Sequence, residues 1–356
     1  MKLIIFAGGA GTRLWPISRS NTPKQFDQFF DGKSTLQLAV ERVRDLWGIE
    51  SVYISTNKKF KEIVLSQIPD LPVKNLILEP DRRDLAAAVL LAMLTVKSQG
   101  YTKEIGILWA DHLMDRPEMF QEGLVIASEM MNKKQNQFVY FGEKPRFANH
   151  NLGWIKYGRE VEFSNGITVR EFREWKYRPE LELCKKMYKS KVWYWNTGYF
   201  VTSVSFVLSL YEKYQNKMIT TLSPAIKDRK KLEKTYPTLE AISFDDAIIK
   251  HTKPSDAKVL LVNLGWSDPG TLYALKEALE QSKVSNVTKG NVYTYDTTDS
   301  LVINYEQGKL VTTIGLKGYI VINMDDSLVV VHKDNVPKVK ELVGKLKEDN
   351  DLKKFI

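Results

Sequence analysis

The sequence has little of the two residue types that most often bind zinc or form disulfides. Among its 356 residues it holds one cysteine, Cys184, and four histidines that lie far apart in the chain. One cysteine cannot form an internal disulfide, and the scattered histidines show no spacing typical of a zinc site. Any metal that the protein uses is therefore expected to be bound by carboxylates.

Long hydrophobic runs are also missing. No apolar stretch approaches the roughly 20 residues that a membrane-spanning helix needs. The chain runs from Met1 and Lys2 directly into a short strand-like segment, without the cleavage pattern of a signal peptide. We therefore expect a cytoplasmic protein with no membrane partner.

The formal net charge is +9. The distribution of the basic residues along the chain says more about the kind of partner than this total does. A positive field attracts nucleic acid, membrane surfaces and small anions alike. The basic residues are spread along the chain, and acidic residues interrupt clusters such as 227–234. Such clusters are typical of a solvated helix face. The pattern favours an anionic small molecule, and no nucleic-acid partner is expected.

Short apolar runs alternate with helical patterns through the first part of the chain. Strands are predicted in KLIIFAGG, SVYIST, NLILEP, EIGILWAD and QFVYFG, and helices in KSTLQLAVERVRDL, DLAAAVLLAMLTVKSQG and PEMFQEGLVIASEMM. Strands separated by helices predict an α/β fold with a Rossmann-like, mostly parallel sheet. Such sheets bind ligands at the carboxyl ends of their strands.

The last part of the chain has a different pattern. Apolar groups begin every nine residues, at Leu301, Leu310, Tyr319 and Leu328. This recurrence predicts a small all-β module, either a meander of hairpins or a coil of short parallel rungs. We predict a catalytic domain over 1–280 and a C-terminal module with a terminal helix over 281–356. Because 290–356 contains no candidate phosphate ligand, we expect this module to support stability or assembly.

A glycine-rich stretch follows the first predicted strand. Gly8, Gly9 and Gly11 allow backbone N–H groups to approach phosphate oxygens without obstruction by side chains. Thr12 and Arg13 follow, and Arg13 adds positive charge. A tight strand-to-helix turn is the alternative explanation of the glycines.

The motifs, taken in order, resemble the sugar-nucleotide pyrophosphorylases, and most closely their mannose-1-phosphate guanylyltransferase branch. The signature GGAGTRLWP is followed by PKQF, and then by ILEPDRRDLAAA, WADH, YWNTGYF and GWSDPGT. Trp15 and Gln25 favour the mannose branch. The resemblance also implies that the terminal module is β-helix-like.

The resemblance implies a set of site residues. The catalytic ones are Arg13, Lys24, Asp111 and Asp268, and both aspartates would bind a Mg²⁺ cofactor. The nucleotide side comprises Gly8, Gly9, Gly11, Thr12, Arg13, Glu79, Arg83 and Asp84. The sugar-phosphate side comprises Lys24, Gly153, Glu174, Lys176 and Asn196. Two plainer readings stay open, because Asp111 can cap the next helix and Asp268 can serve only as a turn residue.

The reaction implied by the resemblance is transfer of GMP from GTP to mannose 1-phosphate. Both substrates are anionic, so neutralisation and alignment of phosphates are most of the catalysis. One alternative is the same chemistry with another nucleotide or hexose 1-phosphate, such as glucose 1-phosphate, since Asp84, Leu85 and 154–157 depart from the family pattern. Another is a catalytically idle nucleotide-binding relative. The implied partners are small-molecule substrates, with a homodimer as the candidate assembly.

Overall fold

The computed structural model describes residues 1–9, 12–19, 22–28, 32–135, 137–280 and 285–356, and of Thr12 only the backbone. The chain packs into two compact units. The N-terminal unit comprises Met1–Gly8, Gln37–Ala110 and Met114–Trp266, and the C-terminal unit comprises Gly9–Leu36, Asp111–Leu113 and Ser267–Ile356. The predicted division after residue 280 stays a prediction, because packing groups separated segments instead of cutting the chain once.

A central sheet organises the N-terminal unit. Its strands are β1 (Lys2–Phe6), β2 (Val52–Asn57), β3 (Leu76–Glu79), β4 (Glu104–Trp109), β5 (Phe138–Glu143), β6 (Gly153–Ser164), β7 (Ile167–Lys176), β8 (Trp193–Ser203) and β9 (Ala257–Val262). Their order is β3-β2-β1-β4-β8-β5-β9-β7-β6. Strands β7 and β8 run opposite to the others. The predicted mostly parallel α/β fold is confirmed.

Helices complete this part of the chain. They are α1 (Thr35–Trp47), α2 (Lys61–Gln67), α3 (Asp84–Ser98), α4 (Pro117–Lys133), α5 (Leu181–Ser190), α6 (Val204–Tyr214), α7 (Asn216–Leu222), α8 (Arg229–Thr235) and α9 (Phe244–Ala247). Helix α3 is apolar nearly all round, and its residues from Ala86 to Leu94 are buried. A helix of that composition must be covered on every side. No helix in the described ranges is long and apolar enough to cross a membrane.

The C-terminal unit contains the β module. Its elements are α10 (Leu272–Leu279), β10 (Val287–Lys289), β11 (Val292–Tyr295), β12 (Leu301–Asn304), β13 (Val311–Ile314), β14 (Tyr319–Asn323), β15 (Leu328–His332) and α11 (Val339–Glu348). Strands β10, β12 and β14 pair in parallel, as do β11 and β13, whereas β15 is antiparallel to β14. The parallel pairs join strands two repeats apart, such as Leu301 with Ile320, as in a coil of rungs, whereas a hairpin meander would pair successive strands in antiparallel.

The stretch that follows β1 contributes to the core of this module. Leu14, Trp15 and Ile17 are 3, 6 and 5% exposed. They belong to one apolar cluster with side chains of α10, β12, β14 and α11. The signature stretch is therefore packed into the β module by its apolar residues, which leaves its charged residues for other contacts.

Candidate active site

The four predicted catalytic residues all lie in the C-terminal unit. Arg13 is in a short 3-10 turn, Thr12–Leu14, and Lys24 begins a second one, Lys24–Phe26. Lys24 Nζ is 2.8 Å from Asp111 Oδ2 and 3.5 Å from Asp268 Oδ1. The structure thus brings one ammonium and two carboxylates together from three distant stretches of sequence.

Backbone hydrogen bonds hold the two aspartate-bearing segments side by side. Leu113 and Ser267 each donate an N–H to the other's carbonyl at 3.0 Å. Gly270 N–H donates to the Asp268 carbonyl at 2.7 Å, closing a tight turn. A Cβ on Gly270 would lie 3.4 Å from Arg13 Nη2. Asp268 is therefore a turn residue whose carboxylate also contacts Lys24.

Asp111 does not act as a helix cap. Helix α4 begins at Pro117, and Arg116 occupies its N-cap position. The carboxylate of Asp111 instead faces Lys24 and lies 3.9 Å from His112 Nε2. The alternative hypothesis, in which Asp111 caps the next helix, is therefore not observed.

The charges in this group reinforce one another. Burial raises the pKa of Asp111, but the attraction of Lys24 and His112 outweighs it and holds the pKa at about 2. Burial lowers the pKa of Lys24, yet Asp111 and Asp268 bring it above its ordinary value. Asp111 is therefore ionised and Lys24 protonated at neutral pH. The two aspartate side chains keep 27 and 34% of their surface exposed, so a ligand can reach them.

The donor set suits a hard divalent cation. Two carboxylate oxygens converge on a single cation, the Lys24 ammonium, and Mg²⁺ prefers oxygen ligands. The described residues contain no group of three or more His, Cys, Asp or Glu side chains placed to hold a metal. Mg²⁺ commonly uses one or two carboxylates and completes its shell with water and substrate phosphates. Asp111 and Asp268 fit that second pattern.

The glycine stretch is divided between the two units. Gly8 and Gly9 are exposed, as backbone that approaches a phosphate must be. A Cβ on Gly8 would lie 3.8 Å from Glu79 Oε1, and Gln25 Nε2 donates to the Gly9 carbonyl at 3.4 Å. Gly11 and the side chain of Thr12 lie outside the described residues, so their predicted roles stay predictions.

Glu79 ends β3 in the N-terminal unit and is 9% exposed. Its carboxylate accepts hydrogen bonds from the Tyr236 hydroxyl at 2.9 Å and from Ser55 Oγ at 3.4 Å. Burial raises the pKa of Glu79 to about 7, although both hydrogen bonds lower it. At neutral pH Glu79 therefore exists in both protonation states, and a neighbouring ligand can meet it as a donor or as an acceptor.

The other two predicted nucleotide residues lie just before and at the start of α3. Arg83 Nη2 is 3.0 Å from Asp81 Oδ2. Asp84 is exposed, has a φ of 59°, and its Oδ1 accepts the Leu85 N–H at 2.7 Å. Burial raises the pKa of Asp245 to about 6, with Asp84 a smaller contributor.

The predicted sugar-side residues lie on three neighbouring strands of the N-terminal unit. Gly153 on β6 pairs with Asn196 on β8, and a Cβ on Gly153 would lie 3.3 Å from Asn196 Cβ. On β7, Lys176 Nζ is 2.8 Å from Glu174 Oε1, and both side chains are nearly half exposed. Trp175 Nε1 would be 3.6 Å from the same Cβ position, so little room exists for a side chain at 153.

Two family models match the chain. One, described as Nucleotidyl transferase, matches residues 2–284, and the other, described as MannoseP isomerase/GMP-like beta-helix domain, matches residues 290–346. The chain belongs to the nucleotidyl transferase family. The predicted family and enzyme class are confirmed, and the second match agrees with the parallel rungs of the C-terminal unit.

Individual proteins resemble the chain over nearly its full length. Mannose-1-phosphate guanylyltransferase of Escherichia coli is 30% identical, with 96% of this chain and 75% of that protein covered. Alginate biosynthesis protein AlgA of Pseudomonas aeruginosa is 29% identical, with 96 and 71% covered. The solved mannose-1-phosphate geranyltransferase from Thermus thermophilus has a TM-score of 0.86 at 26% identity, with 97% of this chain and 99% of that chain covered.

Several residues around the candidate site were not predicted from the sequence. His112 and Gly270 stand inside the motifs WADH and GWSDPGT, so their motif membership was an available signal. Tyr236 and Ser55, which bind Glu79, lie 157 and 24 residues away in sequence and stand in no motif. Such partners are found only from the folded chain.

Glu79 makes stability depend on pH. Its folded-state pKa of about 7 lies above the ordinary 4.5, so the folded chain holds a proton that the unfolded chain releases between these values. The contribution is fully present below pH 4.5 and is lost as the pH rises through 7. We expect the free energy of unfolding to fall by on the order of 3 kcal/mol over this window, relative to Glu79→Gln.

Urea titrations at several pH values check this expectation. Glu79→Gln mimics the protonated carboxyl, so its stability should fall less over this window than that of the unmutated protein, whereas Asp245, with a pKa of about 6, contributes equally to both. Glu62→Gln, at an exposed position of α2, is the matched control and should follow the unmutated protein. Parallel pH profiles for Glu79→Gln and the unmutated protein would contradict the raised pKa.

Proposed function

We propose that the protein transfers GMP from GTP to mannose 1-phosphate, giving GDP-mannose and pyrophosphate, with Mg²⁺ as cofactor. The observation that carries the proposal is the position of Lys24 between Asp111 and Asp268. Family membership gives the reaction class, and the guanylyltransferase among the relatives supports the substrate pair. The proposed location is the cytoplasm. The proposed assembly is a homodimer, which light scattering of the purified chain would test.

The proposed reaction is a direct displacement at phosphorus. An oxygen of the sugar phosphate attacks the α-phosphorus of GTP, a new P–O bond forms, and the bond to the bridging oxygen of the β-phosphate breaks. The electron pair leaves with pyrophosphate. Because attacker, centre and leaving group are all anionic, positive charge lowers the barrier. Lys24 would neutralise the α-phosphate or its attacker, and Arg13 would hold the β and γ oxygens.

Asp111 and Asp268 would hold the Mg²⁺. When bound, the ion neutralises phosphate charge as a Lewis acid. No general base is required, since the attacking phosphate oxygen is already ionised at neutral pH. A cysteine nucleophile is also disfavoured, because Cys184 is buried, its Sγ donates to the Pro179 carbonyl at 3.3 Å, and burial raises its pKa.

The remaining predicted residues would select the substrates. Glu174 can accept two hydroxyl hydrogens of the sugar. Lys176 lies on the same strand, β7, and contacts Glu174, whereas Gly153 on β6 pairs with Asn196 on β8. Glu79, Arg83 and Asp84 are the proposed base-side residues, and the exposed backbone at Gly8 and Gly9 would donate to phosphate oxygens.

A substrate panel tests this proposal. Four nucleoside triphosphates are combined with mannose, glucose and N-acetylglucosamine 1-phosphates, and pyrophosphate release is measured. We expect GTP with mannose 1-phosphate to be the best pair. Discrimination should be stronger for the base than for the sugar, because a site that hydrogen-bonds guanine leaves polar groups unpaired when another base enters.

Asp84 provides a specific variant for the panel. A carboxylate can accept from the guanine N1 and N2 hydrogens but meets acceptors on adenine N1 or uracil O2. Asp84→Ala should therefore reduce the preference for GTP more than the choice of sugar, and Asp45→Ala, at an exposed position of α1, should change neither. If turnover is highest with UTP or dTTP and glucose 1-phosphate, that pair takes the place of GTP and mannose 1-phosphate as the proposed substrates. If no pair releases pyrophosphate, the catalytically idle relative is favoured.

A further inference from the structure

The loop between Arg13 and Lys24 is anchored to a backbone group far away in sequence. Trp15 Nε1 donates to the Phe355 carbonyl at 2.7 Å, and Arg19 Nη1 donates to the same oxygen at 3.0 Å. All of these residues belong to the C-terminal unit. One carbonyl oxygen therefore receives two donors from the signature stretch.

Arg19 makes further contacts with the β module. Its Nη1 and Nη2 bind the two carboxylate oxygens of Asp326 at 2.8 and 2.6 Å, and Nη2 also donates to Ser327 Oγ at 2.9 Å. Its Nε donates to the Pro16 carbonyl at 3.2 Å. The guanidinium side chain is 17% exposed. A bidentate contact between a largely buried guanidinium and a carboxylate orients an arginine much better than a single surface ion pair does.

Hydrogen bonds within the loop connect the segment around Arg19 to Lys24. Arg19 and Thr22 exchange backbone hydrogen bonds at 3.0 and 3.2 Å. Ser18, which precedes Arg19, is 1% exposed, and its Oγ accepts the Lys24 N–H at 3.0 Å. Ser18 N–H donates to the Leu14 carbonyl at 3.2 Å, and Leu14 directly follows Arg13. The backbone positions of both cationic residues are thus tied to the segment that Arg19 holds.

We propose that Arg19 is a positioning residue for phosphoryl transfer: by holding the loop on the β module, it keeps Arg13 and Lys24 in place beside Asp111 and Asp268. The inference rests on the proposed function and deepens it. It also gives the β module a part in catalysis, which the lack of phosphate ligands in 290–356 did not suggest. Displacing a catalytic cation by about 1 Å can cost on the order of a hundredfold in rate.

The test compares Arg19→Gln, Arg19→Lys and Asp326→Asn with Arg159→Gln. The last variant breaks an exposed ion pair with Glu171 at 2.9 Å on β6 and β7 and serves as the matched control. Kinetic constants are measured with GTP and mannose 1-phosphate, together with Tm. We expect Arg19→Gln to lower kcat on the order of tenfold to a hundredfold. The KM for mannose 1-phosphate should change less than kcat, because of the sugar-side residues only Lys24 is held by this loop.

Arg19→Lys should restore part of the lost kcat, since it keeps one charged contact with Asp326 but not the fork. Asp326→Asn should act in the same direction as Arg19→Gln with a smaller effect, and it replaces that variant if Arg19→Gln does not fold. Tm should fall in the Arg19 variants, because a largely covered side chain loses its partners, so kinetic constants are measured at a temperature at which every variant is folded. Arg159→Gln should match the unmutated protein throughout.

Hydrogen exchange separates this inference from the proposed function. In Arg19→Gln, the amides of Ser18 and Lys24 should exchange faster, and this readout needs no substrate. Faster exchange with a lowered kcat supports the inference. An unchanged kcat, or unchanged exchange at these two amides, overturns it. If the unmutated protein releases no pyrophosphate from any substrate pair, the proposed function fails, and exchange at these amides together with the affinity for GTP decides the role of Arg19.

Discussion

Asp268→Asn is expected to lower turnover by on the order of a hundredfold or more while leaving Tm nearly unchanged. The substitution keeps the size of the side chain but removes one of the two negative charges near Lys24 Nζ, 3.5 Å away. The side chain is 34% exposed, so little packing is lost. Asp111→Asn should lose at least as much turnover, because its carboxylate is nearer to Lys24, at 2.8 Å.

Pyrophosphate release at a series of Mg²⁺ concentrations, with melting curves of each variant, checks this expectation. If the two aspartates share the ion, both variants should need more Mg²⁺ for half-maximal turnover. Asp45→Asn, on the exposed face of α1, should behave as the unmutated protein. Near-normal turnover of Asp268→Asn at low Mg²⁺ would show that Asp268 is not a ligand of the ion.

Lys24→Met is expected to remove nearly all turnover and yet to strengthen metal binding. Loss of a cation that neutralises a transferring phosphate should lower kcat by on the order of a hundredfold to a thousandfold. In the absence of substrate, however, Lys24 occupies the cation position between Asp111 and Asp268. With methionine there, the two carboxylates lose the ammonium that both of them contact, so the free protein should bind a divalent cation at least about tenfold more tightly.

Mn²⁺ titration followed by electron paramagnetic resonance measures this affinity without turnover. The same charge argument predicts that Lys24→Met is less stable than the unmutated protein in a metal-free buffer and recovers stability when Mg²⁺ is added. Lys345→Met, which breaks an exposed pair with Glu341 on α11, is the control and should change neither quantity. Equal Mn²⁺ affinities of Lys24→Met and the unmutated protein would exclude a metal site at these two carboxylates.

Local patterns predicted much of the architecture because they report burial directly. The apolar run of β1 marks a strand covered on both faces, and Leu3, Ile4 and Ile5 are fully buried. The nine-residue recurrence marks the β module, but hairpins and parallel rungs have the same spacing, so only backbone pairing separates them. The antiparallel strands β7 and β8 were not predicted, because strand direction depends on distant partners.

The candidate site also has a part that the sequence predicts and a part that only the folded chain shows. The types of residue that handle phosphates and Mg²⁺ stand in recognisable motifs, so Arg13, Lys24, Asp111 and Asp268 were predicted from the sequence. Their roles stay predictions. Neither the partners of Glu79 nor the contacts of Arg19 have a local signal, since Tyr236 and Asp326 lie 157 and 307 residues away from them.

The sequence by itself determined the α/β class, the β module and the kinds of side chain available for phosphate chemistry, because periodicity and motif order are properties of neighbouring residues. Only the tertiary structure decided that Lys24 lies between two aspartates, that Glu79 is buried against Tyr236, and that the signature stretch packs into the β module. These contacts join segments that are distant in the chain. Their formation depends on which surfaces the folded elements bury together, and no local pattern contains that information.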